Sequence, residues 1–199
     1  EYVVLEVAAQ ALSLHRVAGL EFDGIIFTNF AQAHGEFYAT EQEYLAAKML
    51  IFNMAKLQAP LIINADDQTG AQLIERYETA IPFALHNACK IKGTLISCTA
   101  QGIEGLIHDE TASISFKCPG LIGTFNIYNI LGACSLALHV AVARDALING
   151  LATFAGVPGR LERLDLPNGA VSFIDYAHNP LSFASVLPLL RSMTDHLIV

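Results

Sequence analysis

Lys48 is the residue whose neighbours in the sequence most favour chemistry. It lies in a helical pattern that begins at Thr40, where Thr40-Glu-Gln-Glu43 matches a capping box. Positions 44, 48 and 52 share one helix face, so Tyr44 and Phe52 flank the amine. Such a lysine can extend its charge past apolar neighbours into water, or it can be partly buried with a lowered pKa and react as a nucleophile. Spacing alone leaves both interpretations open.

Two candidate metal ligands follow predicted strands. Glu6 lies near the end of the apolar run Tyr2–Val7, and His34 follows a run that ends at Thr28 and Asn29. Open α/β sheets bind ligands at the carboxyl ends of their strands, and a carboxylate with an imidazole can hold magnesium there. A surface ion pair for Glu6 and a solvent-exposed His34 are the alternatives.

Two amides and one loop offer contacts to a nucleotide. Asn126 and Asn129 lie three residues apart near the start of a long predicted helix, so their amides face the same way and can read a base edge. A helix cap plus a turn residue is an equal alternative. The segment Asp175–Pro180 joins a predicted strand to a helix, and its Asp, His and Asn side chains can contact sugar hydroxyls, a phosphate or a metal.

The elements that must position these side chains alternate between strands and helices. Short apolar runs predict strands buried on both faces at Tyr2–Val7, Gly24–Thr28 and Pro60–Asn64. Helical patterns occupy Thr40–Leu57, Gln68–Arg76, Thr124–Val142 and Arg144–Phe154. The region Ile91–Lys117, with a turn at His108–Thr111, predicts a small antiparallel sheet attached to the main one. We therefore predict an α/β fold with a mostly parallel sheet flanked by helices.

A break at Gly156-Val-Pro-Gly159 predicts a domain boundary, with residues 1–157 before it and 158–199 after it. Beyond the break, a strand at Ala170–Asp175, a helix from Asn179 to about Met193 and the start of a strand at His196–Val199 predict the first βαβ unit of a Rossmann-like domain. Because both ends fall on predicted strands, we expect a piece of a longer protein.

Composition excludes several classes of protein. The net charge of −8, from 11 basic and 19 acidic side chains, argues against a nucleic-acid groove. The apolar stretch Leu131–Ala143 is too short to span a bilayer, so we expect no membrane partner. The four cysteines lack the spacing of a zinc site or a disulfide frame, which favours reduced thiols and a cytoplasmic protein. The sequence contains no Gly-x-x-x-x-Gly-Lys-Ser/Thr phosphate loop and no hydrolase motif.

Taken in order, these motifs resemble the Mur ligases, the ATP-dependent enzymes that build the peptidoglycan stem peptide. The segments that carry the resemblance are Glu6–Leu12, Arg16-Val17, Phe27–Asn29, His34, Tyr44–Lys48, Asn64–Asp67, Gly123–Asn129, Pro158–Arg160 and Asp175–Pro180. They extend over nearly the whole chain. Within the family, the sequence is most similar to the ligases that add the third stem-peptide residue. Residues 1–157 would be the central ATP-binding domain and 158–199 the start of the C-terminal domain.

The resemblance implies a role for each matched residue. Glu6 would bind the Mg²⁺ that accompanies the ATP phosphates, His34 would bind a second Mg²⁺, and Lys48 would react with carbon dioxide to form a carbamate ligand for that second ion. The residues expected around the nucleotide are Asn126 and Asn129 at the adenine, Asp175 at the ribose, and Tyr176, His178, Asn179 and Arg160 beside them. Arg16 would contact the UDP-sugar peptide.

The implied reaction forms an amide through an acyl phosphate. ATP would phosphorylate the terminal carboxylate of UDP-N-acetylmuramoyl-L-Ala-D-Glu, and the amine of diaminopimelate or lysine would attack the activated carbonyl. The parent enzyme would be a monomer of the cytoplasm that serves cell-wall synthesis. We expect this piece alone to be inactive, because it has nowhere to cradle the β- and γ-phosphates.

Some positions depart from the third-residue ligases. Ala8, Gln10, Leu14 and Ala33 replace polar residues of the family pattern, which removes contacts to the UDP-sugar peptide. The alternatives are another ligase of the superfamily, such as a folylpolyglutamate synthase, a cyanophycin synthetase or a recycling ligase, and a non-catalytic homologue that acts as a scaffold.

Overall fold

A six-stranded sheet organises the first two thirds of the chain in the computed structural model, which describes residues 2–31 and 37–199. The strands of this sheet are β1 (Ile25–Phe27), β2 (Leu61–Asn64), β3 (Ala80–Ala84), β4 (Ile91–Thr99), β5 (Gly102–His108) and β6 (Ser113–Cys118). A two-stranded sheet follows, formed by β7 (Glu162–Asp165) and β8 (Val171–Ile174). The helices are α1 (Ala9–Ser13), α2 (Glu41–Met49), α3 (Gln68–Arg76), α4 (Phe125–His139), α5 (Arg144–Thr153) and α6 (Pro180–Met193).

The six strands lie in the same order in space as in the sequence. Strands β1 to β4 pair in parallel, and β4, β5 and β6 pair antiparallel. The sheet separates two apolar cores, because successive residues of a strand face opposite sides. Ile62 packs with Leu131 of α4, whereas Ile63 packs with Leu73 of α3. The parallel part is thus covered on both faces, as the apolar runs predict.

Most of the predicted elements are confirmed. The strands expected at Gly24–Thr28 and Pro60–Asn64 are β1 and β2, and the helix expected at Gln68–Arg76 is α3 with the same bounds. The antiparallel region attached to the main sheet is also confirmed: β4 pairs in parallel with β3, and β5 and β6 extend the sheet antiparallel. The helix expected from Thr40 to Leu57 ends at Met49 and continues as a 3₁₀ turn over Leu50–Met54.

Two predicted strands are wrong. Residues 2–7 and 196–199 are not in strands, and the side chains of Val3 and Val4 are 92% and 91% exposed. A strand requires a hydrogen-bonded neighbour, and no described strand pairs with either segment. The expected βαβ unit is therefore present only as β8 and α6. Strand β8 pairs antiparallel with β7, a strand that the sequence did not predict.

The C-terminal elements pack on the loop that precedes α4. Ile122 of that loop forms a buried cluster with Leu161 and with Val186 of α6. The connecting backbone is tight, because a Cβ at Gly156, whose φ is +93°, would lie 2.5 Å from the carbonyl oxygen of Gly120. A glycine is required at such a position. The division into domains at residue 157 stays a prediction. No helix among the described residues is long and apolar enough to cross a membrane.

The Asp109 carboxylate holds the turn between β5 and β6. Its Oδ1 accepts hydrogen bonds from the backbone N–H groups of Thr111 and Ala112 at 2.7 and 2.9 Å, and its Oδ2 pairs with Arg144 of α5 at 2.6 Å. The hydroxyl of Thr111 also donates to Oδ1. This last hydrogen bond is the largest of several causes that hold the pKa of Asp109 well below its usual range, against the effect of burial.

We expect Asp109→Asn to lower the free energy of unfolding by about 1 kcal/mol at neutral pH, because the amide loses the charge that Arg144 and the turn amides stabilise. The folded-state pKa is depressed, so this stabilisation is present above the unfolded-state pKa of about 4 and is lost progressively as the pH falls below it. Urea denaturation over a pH series measures the difference. Glu110→Gln is the control, since Glu110 forms a longer, exposed pair with Lys90 at 3.5 Å. Equal stabilities of the two variants at neutral pH would contradict this role of Asp109.

Candidate functional site

The amine of Lys48 lies in a partly buried aromatic pocket beside the carboxyl end of β1. Its Nζ donates a hydrogen bond to the carbonyl oxygen of Asn29 at 3.2 Å. The ring centroids of Phe27, Phe30 and Tyr44 lie 5.9, 5.9 and 5.5 Å from the same nitrogen. Burial lowers the pKa of Lys48, and the nearby Asp67 carboxylate offsets part of this effect. The structure therefore favours a partly buried lysine with a lowered pKa over one that extends into water.

Helix α2 presents Lys48 because its start is fixed by side-chain hydrogen bonds. The Thr40 hydroxyl accepts from the backbone N–H of Glu43 at 3.2 Å, as the capping box predicts. The Glu43 carboxylate accepts from the N–H of Ala39 at 3.0 Å, one residue before the expected partner. Tyr44 and Ala47 then pack on Ala9 of α1.

Side chains at the end of β2 and just after it hold the loop that follows β1. The Asn64 amide donates to the carbonyl oxygen of Thr28 at 2.8 Å. One Asp67 oxygen accepts from the backbone N–H of Phe30 at 3.0 Å, and the other caps α3 by accepting from Gly70 at 2.8 Å. A Cβ at position 70 would collide with the carbonyl oxygen of Asn64, so glycine permits this close approach. Asp67 thus fixes the backbone that carries the Phe30 ring of the lysine pocket.

Asp66 joins the loop after β2, in which it lies, to the end of β3 and to α4. Its carboxylate accepts hydrogen bonds from the backbone N–H groups of Leu85, His86 and Asn87 at 2.7, 2.9 and 2.9 Å, and from the Tyr128 hydroxyl at 3.1 Å. Burial would raise the pKa of Asp66, but these hydrogen bonds outweigh it and lower the pKa. Burial and the Asp66 carboxylate raise the pKa of Tyr128 to about 12, so its hydroxyl stays protonated as a donor.

The structure brings Asn126 and Asn129 together near the start of α4. The Asn129 amide donates to Oδ1 of Asn126 at 2.8 Å, and the Asn126 amide donates to the carbonyl oxygen of Ile122 at 2.7 Å. Asn126 therefore also serves the helix start, as the alternative interpretation holds. Asn129 is exposed to the solvent.

The predicted nucleotide-binding residues of the C-terminal part form one cluster. The Asp175 carboxylate accepts from the backbone N–H groups of Leu161 and Ala177, each at 2.8 Å. The Arg160 guanidinium lies over the Tyr176 ring at 5.2 Å from its centroid. His178 Nδ1 lies 2.8 Å from the carbonyl oxygen of Tyr176.

Asn179 ends this loop and caps α6. Its side chain accepts from the backbone N–H of Ser182 at 2.9 Å, and the Ser182 hydroxyl accepts from the N–H of Asn179 at 3.2 Å. This reciprocal pair is a capping box, with Pro180 at the first helical position. The local role of Asn179 is therefore structural.

Two predicted residues, Glu6 and Arg16, do not join a described cluster, and a third lies outside the residues that the structure describes. Glu6 is exposed in the extended segment before α1, and Arg16 is exposed in the turn after that helix. His34 lies outside the described residues. Over residues 2–31 and 37–199, no group of three His, Cys, Asp or Glu side chains is arranged to hold a metal ion.

Asp66 and Tyr128 are the functional candidates that the sequence analysis missed. Asp66 lies in the segment Asn64–Asp67 that carries part of the resemblance, but no role was assigned to its carboxylate. The available signal was two adjacent carboxylates directly after a fully buried strand, where backbone N–H groups need acceptors. Tyr128 lies between the two asparagines and gave no comparable signal.

Comparison with known proteins identifies the class to which this fold and site belong. A family model of the Mur ligase middle domain matches residues 1–137. The chain therefore belongs to the Mur ligase family. This result confirms the family resemblance and the predicted α/β fold.

Several similar proteins carry the same name. The UDP-N-acetylmuramoyl-L-alanyl-D-glutamate–2,6-diaminopimelate ligase of Nostoc sp. strain PCC 7120 is 34% identical over 196 residues, which cover 96% of this chain and 39% of that protein. The ligase of the same name from Parabacteroides distasonis is 28% identical and covers 98% and 39%. The chain thus spans about two fifths of the length of these relatives.

Solved structures show the same fold. A structure of a UDP-N-acetylmuramoyl-L-alanyl-D-glutamate–2,6-diaminopimelate ligase superposes with a TM-score of 0.75 at 24% identity and covers 96% of this chain and 40% of that one. The MurF ligase of Thermotoga maritima in complex with ADP gives a TM-score of 0.75 at 20% identity, with coverages of 93% and 42%. At 24% and 20% identity, the similarity to these structures shows the fold alone.

We expect Lys48 to titrate below the usual pKa of a lysine, because burial disfavours its charged form. Reductive methylation with ¹³C-formaldehyde, followed by NMR over a pH series, reports each lysine separately, and Lys48→Arg assigns the Lys48 signal. Lys56 is the internal control, since its hydrogen bond to Asp23 at 2.6 Å raises its pKa. A Lys48 signal that titrates together with Lys56 would contradict the partly buried pocket.

We expect Asp67→Asn to lower the pKa of Lys48 further, because the variant removes the charge that favours the ammonium form. The same NMR titration measures the change. Asp23→Asn is the matched control: it should lower the pKa of Lys56 and leave that of Lys48 unchanged. An unchanged Lys48 pKa in Asp67→Asn would show that the carboxylate does not act on the amine.

Proposed function

We propose that this chain is part of an ATP-dependent ligase that adds diaminopimelate to UDP-N-acetylmuramoyl-L-Ala-D-Glu, the third-residue step of peptidoglycan precursor synthesis. Membership of the Mur ligase family and the names of the similar proteins support this proposal. Diaminopimelate is preferred to lysine because those names specify it. The parent enzyme acts in the cytoplasm as a monomer.

The observation that carries the proposal is that Lys48 is partly buried and has a lowered pKa. A carbamate forms when a neutral amine attacks carbon dioxide, and burial lowers the pKa of Lys48, which raises the fraction of the neutral form. The product is an anionic oxygen ligand at the carboxyl edge of a parallel sheet, where such folds bind their ligands.

The donor set suits magnesium, which prefers oxygen ligands. Glu6 and the Lys48 carbamate would supply carboxylate-like oxygens and His34 an imidazole. Bound Mg²⁺ would stabilise negative charge on the phosphates during transfer. The protein's own part is to hold Lys48 in place through Asn29 and the loop that Asp67 fixes.

The nucleotide side of the site is proposed to consist of the asparagine pair and the C-terminal cluster. Asn126 and Asn129 would contact the adenine, and Asp175 the ribose. Arg160 would lie beside the nucleotide with Tyr176, His178 and Asn179. The ADP complex of a Thermotoga relative with this fold is consistent with nucleotide binding.

The chemistry joins a carboxylate to an amine with ATP as the phosphoryl donor. The terminal carboxylate oxygen of the dipeptide attacks the γ-phosphorus and releases ADP, and the amine then attacks the acyl phosphate and releases inorganic phosphate. Electrostatic stabilisation and the positioning of both substrates supply most of the rate enhancement. Arg16 would contact the UDP-sugar peptide, with fewer neighbouring contacts where Ala8, Gln10, Leu14 and Ala33 replace polar residues.

The direct test uses the complete gene product that contains this chain. With ATP, Mg²⁺ and UDP-N-acetylmuramoyl-L-Ala-D-Glu, we expect ADP release that depends on diaminopimelate, and a product whose mass shows one added residue. Lys48→Arg should reduce kcat by about 100-fold or more, since it removes an anionic ligand from the transition state. Lys56→Arg, an exposed lysine outside the pocket, should retain wild-type activity.

Three outcomes of this assay would overturn the proposal. Ligation of lysine in place of diaminopimelate would overturn the choice of amino acid, and glutamylation of a folate would favour a different ligase of the superfamily. A wild-type protein that joins none of these substrates would favour the scaffold alternative. The 199-residue chain alone is expected to be inactive.

A further inference from the structure

The hydrogen bond between Tyr128 and Asp66 joins two parts of the site that are distant in the sequence. Tyr128 belongs to α4, between Asn126 and Asn129, whereas Asp66 belongs to the loop that leads into α3. The donor and acceptor are 62 residues apart along the chain, and their oxygens lie 3.1 Å from each other. The contact is part-buried, where a hydrogen bond is stronger than in water.

The Asp66 end of this contact is rigidly held. Three backbone N–H groups after β3 donate to the same carboxylate, so its position follows from the sheet. The neighbouring residue Asp67 accepts from Phe30, whose ring faces the Lys48 amine. The loop therefore has a defined position relative to the lysine pocket.

The Tyr128 end determines how α4 is rotated about its own axis. Residues 126 and 129 lie about 60° apart on one helix face, while residue 128 lies on the side toward the sheet. The apolar contacts of Ile127, Ile130 and Leu131 with the sheet have no strong directional preference. A hydrogen bond is directional, so the Tyr128 contact adds to these apolar contacts a defined rotation for the turn of α4 that carries Asn126 and Asn129.

We propose that the Tyr128–Asp66 hydrogen bond is a positioning contact that sets the direction of the adenine-reading face of α4 relative to the lysine pocket. This inference rests on the proposed function, because it takes Asn126 and Asn129 as the adenine contacts. Tyr128 touches no reacting atom in this account. Its raised pKa keeps the hydroxyl a donor over the working pH range.

The test compares Tyr128→Phe with Tyr77→Phe in the complete gene product. Both variants remove a hydroxyl, but Tyr77 stacks on Phe52 and its hydroxyl has no hydrogen-bond partner among the described residues. We expect Tyr128→Phe to weaken ADP binding about 3- to 10-fold by titration calorimetry and to raise KM for ATP by the same factor, with kcat within about twofold. Tyr77→Phe should match the wild type in all three quantities.

The outcomes separate this inference from the proposed function. A wild-type protein that binds no ADP would overturn the proposed function, and this inference with it. Normal ADP binding by Tyr128→Phe, in a wild type that binds ADP, would overturn the inference alone. A Tyr128→Phe protein with a lower kcat and a lower melting temperature, but with an unchanged KM for ATP, would also overturn it. That result would indicate a general structural role.

Discussion

The carboxyl ends of parallel strands leave backbone groups without partners, and the whole candidate site depends on how this chain satisfies them. Asn64 is the last residue of β2, and Asp66 and Asp67 lie just after it; their side chains donate to or accept from the loops after β1 and β3. A buried N–H group without a partner costs about 1–3 kcal/mol, so these three side chains hold the loops firmly. In the described residues, no buried side-chain nitrogen or oxygen lacks a partner.

This constraint also shapes the electrostatics around Lys48. The hydrogen bond from the Phe30 N–H to Asp67, which joins the loop after β1 to the loop after β2, holds both the Phe30 ring and the Asp67 carboxylate near the amine. Burial removes water and favours the neutral amine, whereas the Asp67 carboxylate favours the ammonium ion, as do the faces of the surrounding rings. Burial outweighs the carboxylate, so the pKa of Lys48 is lowered. The position of the loops at this edge of the sheet and the surroundings of the Lys48 amine thus depend on one set of hydrogen bonds.

The sequence was sufficient for the elements whose own residues determine their structure. Helix α3 was predicted with its bounds because Asp67 and the apolar spacing mark it locally, and β2 because all four of its residues are buried and apolar or amide. Tyr2–Val7 has an equally apolar pattern but no partner strand among residues 2–31 and 37–199, and hydrophobic periodicity cannot predict strand pairing. Strand β7 was missed because Glu162–Asp165 is polar and exposed.

The residues of the candidate site also fall into two groups: those that the sequence could predict and those that it could not. The lysine on an apolar helix face and the Asp175–Pro180 loop could be found from local spacing and resemblance. The roles of Asp66 and Tyr128 could not, because their contact joins residues far apart in the sequence. His34, which the resemblance assigns to the metal, lies outside the described residues, so its role stays a proposal.

The most direct measurement of the central claim is ¹³C NMR of the complete gene product in ¹³C-bicarbonate at neutral pH. A partly buried lysine with a lowered pKa should give a carbamate carbonyl resonance that is absent from Lys48→Arg and unaffected in Lys56→Arg. If the wild type shows no such resonance, or if the resonance persists in Lys48→Arg, the assignment of Lys48 as a carbamate-forming residue is contradicted.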